Sequence, residues 1–104
     1  MARTRIAPGA AVEVLVSPEE RDLVLAYTFS GPDLTERLRL APVAGAKLAV
    51  RYTLDDLDEL IGYIAAEANH MQDAALQEEL DTLVERLKAE MESYDDGGWQ
   101  GSQD

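Results

Sequence analysis

The stretch Thr53 to Tyr94, TLDDLDELIGYIAAEANHMQDAALQEELDTLVERLKAEMESY, decides the fold. Leu54, Leu57, Ile61, Ile64 and Ala68 recur at alternating steps of three and four, and Leu60 and Ala65 widen the stripe. That period lays them along one face of an amphipathic helix. Thr53 stands at the N-cap, Asp56 completes a capping box, and Tyr52 is placed to staple against Leu57. Asp55, Asp56, Asp58 and Glu59 crowd the positive end of the helix dipole, where acids are favoured. Asn69, His70 and Gln72 then interrupt the apolar pattern. Asn69 reads as a left-handed C-cap, and Asp73 as the cap of a second helix. In that helix Leu76, Leu80, Leu83, Leu87 and Met91 continue the stepping, broadened by Val84. Two long helices across so short a break are expected to pack as an antiparallel hairpin over residues 53–94.

Upstream the signals are shorter. Ala11 to Val16 places Val12, Val14 and Val16 on one face of a strand and Glu13 on the other. Ser17, Pro18 and Glu20 open a capped helix running to about Thr28, with Leu23, Val24 and Tyr27 expected inward. Gly31-Pro32 marks a turn, after which Asp33 and Glu36 form a second capping box. The short helix they open is expected to bury Leu34, Leu38 and Leu40. Residues 41–46 read as a connecting loop. Lys47 to Tyr52 alternates, with Leu48, Val50 and Tyr52 on one side of a second strand. The two strands are expected to pair, since each needs the other's backbone groups. Their relative direction is left open by the spacing.

The fold class is therefore α+β: a small two-stranded sheet, a capped helix, a short helix and a C-terminal helical hairpin. A chain of 104 residues is one domain's worth. That domain is expected over 1–96, after a flexible lead-in at 1–10 and before a disordered tail at 97–104. With no cysteine, disulfides, thiolate metal sites and thiol nucleophiles are excluded. No apolar run approaches the ~18 residues of a membrane span. No membrane association and a cytoplasmic location are the expectations.

The net charge of −12 is unevenly divided. Residues 1–51 hold seven cations and six anions, a net of +1, whereas residues 52–104 hold two cations and fifteen anions, a net of −13. The second half is therefore expected to make no direct contact with nucleic acid. Arg37, Arg39, Lys47 and Arg51 form a basic group in the first half, whose expected partners are acids of the hairpin.

Motifs for chemistry are thin. Glu67 and His70, three apart on a helix, resemble half of a carboxylate-imidazole metal pair, but a second pair would have to come from another copy. Asp55 to Gly62 fails the calcium-loop pattern, because Leu60 and Ile61 occupy the fifth and sixth positions counted from Asp56. Ala44-Gly45-Ala46-Lys47 lacks the leading glycine and the hydroxyl of a phosphate loop. No serine sits in a nucleophile elbow, and no cofactor is expected.

The leading functional expectation is a small acidic interaction or regulatory module, not an enzyme. It is expected to form a homodimer through Leu76, Leu80, Leu83, Leu87 and Met91, and to engage a basic protein partner. Two alternatives differ in class. One is a metal- or small-ligand-binding enzyme using Glu67 and His70; the other is an acidic mimic of nucleic acid that occupies a basic groove.

Overall fold

Valine at every second position gives strand β2 (Ala11–Val16) one apolar side. Val12, Val14 and Val16 are buried while Glu13 and Leu15 face out. Strand β4 (Lys47–Thr53) runs antiparallel to it in a register from Ala11↔Thr53 to Val16↔Leu48, which settles the direction. This register brings Leu48, Val50 and Tyr52 onto the same buried face as the three valines. A computed structural model describes residues 4–28 and 32–95; the expected tail at 97–104 lies outside them.

The sheet has three strands rather than two. Part of the expected loop forms β3 (Val43–Ala44), which folds back on β4 through a two-residue turn at Gly45 and Ala46. Gly45 has φ of +69°, a conformation open to glycine and strained for other residues. The order is β2-β4-β3. Because β3 is short, the rest of the β4 edge is covered by helix α2 (Pro32–Arg39). Arg37 Nη1 donates to the Arg51 carbonyl at 3.3 Å, and the buried Tyr52 hydroxyl donates to the Leu34 carbonyl at 2.6 Å.

Helix α1 (Pro18–Tyr27) opens with the expected capping box: Ser17 Oγ accepts from Glu20 N–H at 3.0 Å, and Glu20 Oε1 accepts from Ser17 N–H at 2.9 Å. It buries Val24, but Tyr27 is exposed, against expectation. In α2 the expected Asp33–Glu36 capping box does not form. Asp33 already lies in the first helical turn, where its carboxylate takes Arg37, and Glu36 takes Arg39. Leu34 and Leu38 are buried as expected, whereas Leu40, beyond the last helical turn, is 69% exposed.

The hairpin consists of α3 (Leu54–His70) and α4 (Ala74–Glu92), joined by three residues. Thr53 and Asp56 form the expected capping box, and Asp73 Oδ1 accepts from Ala75 and Leu76 N–H. Asn69 is not the C-cap. The helix continues through His70, and Met71 leaves it extended at φ −76°, ψ 130°, so no left-handed residue is needed. The two stripes and the inner sheet face make one core, from Val12 to Met91.

Residues 4–6 also depart from the expected lead-in. Strand β1 (Thr4–Arg5) pairs in parallel with β5 (Tyr94–Asp95). Thr4 N–H donates to the Ser93 carbonyl at 2.8 Å, Ile6 N–H donates to the Asp95 carbonyl at 2.9 Å, and Ile6 packs on the core.

Candidate binding groove

The expected dimer seam is used inside the chain. Leu80, Leu83, Leu87 and Met91 are at most 5% exposed, and Leu76 is half-buried. They pack in the common core with the stripe of α3 and the inner face of the sheet. Leu80, Leu83, Leu87 and Met91 are thus covered by the chain's own elements in this fold. The physical reason is width: with Leu60 and Val84 added, each stripe exceeds a single seam and is consumed by sheet and helix together.

Glu67 and His70 share a helix face, because α3 runs through both. Glu67 is half-buried and His70 exposed in the last turn. Among the described residues, no three His, Cys, Asp or Glu side chains are grouped to hold a metal ion.

Half of the basic group of the first half, Arg37 and Arg39, is tied down by acids, and among the described residues Lys47 and Arg51 make no ion pair. Arg37 bridges Asp33 and, at 2.8 Å, Asp56 of the hairpin, while its guanidinium lies 5.5 Å from the Tyr52 ring centre. Burial opposes ionisation of Asp56. The hydrogen bonds from Arg37 and Thr53 outweigh it, so the carboxyl ionises below its ordinary range. The hydrogen bonds to Asp33 and Asp56 raise Arg37, and burial pushes the Tyr52 phenol well up. These groups join α2 to the start of α3.

The prominent concavity lies elsewhere, between α1 and α4. Its frame is an ion pair spanning 66 residues of sequence: Arg86 Nε and Nη2 donate to Glu20 Oε2 and Oε1 at 2.9 and 2.7 Å. Glu20 thus caps α1 and anchors it to α4 at once. Beside this pair runs an open groove of about 460 Å³. Leu23 and Ala75 supply its apolar surface above the buried Leu83, and Glu19, Glu78 and Glu79 stand with Glu20 along it. Only Glu20 has a cationic partner; the other three carboxylates make no ion pair among the described residues.

Sequence spacing missed the groove, since it arises from two helices distant in the chain. A partial signal was present in Arg86, one of only two cations in the acidic half and placed amid acids on α4. Among the described residues no helix is long and apolar enough to cross a membrane. No protein-family model matches the chain, and neither a curated protein nor a solved structure is significantly similar to it.

Proposed function

We propose that the protein is a non-catalytic docking module that receives a cationic amphipathic segment of a partner protein in the α1–α4 groove. The observation that carries this reading is an apolar strip, Leu23 and Ala75 over the buried Leu83, flanked by three carboxylates that make no ion pair among the described residues. Apolar residues of the ligand would cover the strip, and lysines or arginines on either side would meet Glu19, Glu78 and Glu79. Carboxylates placed this way speed encounter and select against acidic competitors more than they add affinity. A plain mimic of nucleic acid has no use for the apolar strip, which ranks that reading second. The catalytic alternative at Glu67 and His70 ranks third, for want of a further ligand. The reading suits a reducing cytosol, where a chain without cysteine needs no oxidative folding.

Titration with a labelled amphipathic Lys/Leu helix, beside an all-Lys peptide of equal charge, tests it. The amphipathic peptide should bind in the micromolar range and weaken roughly tenfold or more between low and physiological salt. Glu78→Lys with Glu79→Lys should abolish binding while leaving the fold intact, both residues being exposed. Equal binding of the two peptides would favour the mimic, and no binding of either would overturn the docking reading.

A further inference from the structure

A second recess, of about 360 Å³, shares no residue with the groove. It lies where the Leu40–Pro42 connection and α2 meet the outward side of β4. Leu40 contributes apolar surface over the buried Ala49, whose N–H donates to the Pro42 carbonyl at 2.8 Å. Leu15, 40% exposed, is the cross-strand partner of Ala49 on the same outer sheet face. Glu13 and Arg51 are also cross-strand partners on that face. Among the described residues neither makes an ion pair, and Arg51 reaches only the Ala11 carbonyl, at 3.5 Å.

We propose that two copies of the chain pack these outer sheet faces together about a two-fold axis. Leu15 and Leu40 fill the contact, and Glu13 of each copy meets Arg51 of the other. A two-fold interface must complement itself, residue i meeting j while j meets i. A patch holding one free anion, one free cation and apolar surface meets that condition. The acidic hairpin does not: it belongs to a half with a net charge of −13, so two copies meeting there repel. The half that carries the sheet has a net charge of +1, so contact through it adds little local repulsion. A strongly basic partner is disfavoured on this face by Arg51 and Arg37, and a strongly acidic one by Glu13 and Glu36.

The proposal is independent of the groove reading, and salt separates the two. Each copy carries −12, so salt screens the repulsion between whole molecules and should strengthen association. A cationic peptide in the groove should instead be weakened by it. Sedimentation velocity of the full chain, up to about 100 µM and at low and high salt, is the measurement. The expected result is a monomer–dimer equilibrium that tightens with salt. Leu40→Glu should weaken it at least roughly tenfold with an unchanged circular-dichroism spectrum, its side chain being exposed. Arg51→Glu alone should weaken it, and Glu13→Arg combined with Arg51→Glu should restore it, because the swap keeps the face self-complementary. A monomer at every concentration and salt, or a dimer indifferent to Leu40→Glu and Arg51→Glu, overturns the proposal.

Discussion

The sheet-bearing half and the helical hairpin reach the same core by opposite means. The hairpin is built from contacts close in sequence: two capping residues, two periodic stripes and a three-residue link. The first half depends on distant partners: β2 on β4 across about thirty residues, β1 on β5 across the whole domain, and Glu20 on Arg86. Local contacts can be read from spacing, whereas distant ones cannot. The α1–α4 groove follows the same division, since it lies where the first half meets a helix far along the chain.

Breaking the hairpin stripe should have the largest effect. Leu80 is fully buried, and Leu80→Ala should cost roughly 3 kcal/mol in urea unfolding. The loss should not depend on protein concentration, because the residue serves the chain's own core; a concentration-dependent loss would restore it as a dimer seam. Leu40→Ala, on the exposed connection, should cost under roughly 0.5 kcal/mol in dilute solution.

Next in size is the joint between the two regions. Glu20→Ala removes the side-chain half of the α1 capping box and the Arg86 pair together, for about 1–2 kcal/mol. A double-mutant cycle with Arg86→Ala should leave a coupling of roughly 1 kcal/mol, both side chains being partly solvated. Additive losses would show that the cap alone matters.

The third joint is acid-sensitive. Asp56 is depressed in the folded state, so its stabilisation is complete above the ordinary value of 3.8 and is lost as pH falls through the lower folded value. Asp56→Asn should therefore be less stable than the parent at pH 7, by roughly 1 kcal/mol after allowing for solvent around Arg37. The two proteins should converge under more acidic conditions; a constant gap down to acid pH would assign the loss to the cap geometry instead.

The smallest expected change is a gain. Thr28 Oγ1, at the end of α1, is buried with no hydrogen-bond partner among the described residues. Thr28→Val keeps the shape and removes the desolvated hydroxyl, so thermal unfolding should show a gain of up to about 1 kcal/mol.

Spacing alone was enough for the hairpin, the paired strands and three of the N-caps, since each is declared within a few residues. Leu40 misled because it stands two residues from Leu38, where a helical reading extends one step too far. The β3 turn carried a faint signal in Gly45, but a two-residue strand has no period to detect. Asn69 resembled a helix stop because polar residues cluster there, yet the backbone needed no special conformation to leave the helix. Of the candidate sites, the seam residues were legible as apolar, while their share in the core with the sheet rests on contacts distant in sequence. The groove required the α1–α4 juxtaposition itself.

The β1–β5 pair has a mechanical consequence. The strands are parallel, so tension applied through the two ends of the chain pulls them along their axes in opposite directions. The Thr4–Ser93 and Ile6–Asp95 bonds are then loaded in shear, together, instead of being peeled open singly. The clamp is short, but force must break it before it reaches α4. Carried between neighbouring domains or held against a surface, the molecule would keep its groove and sheet face assembled until that clamp yields.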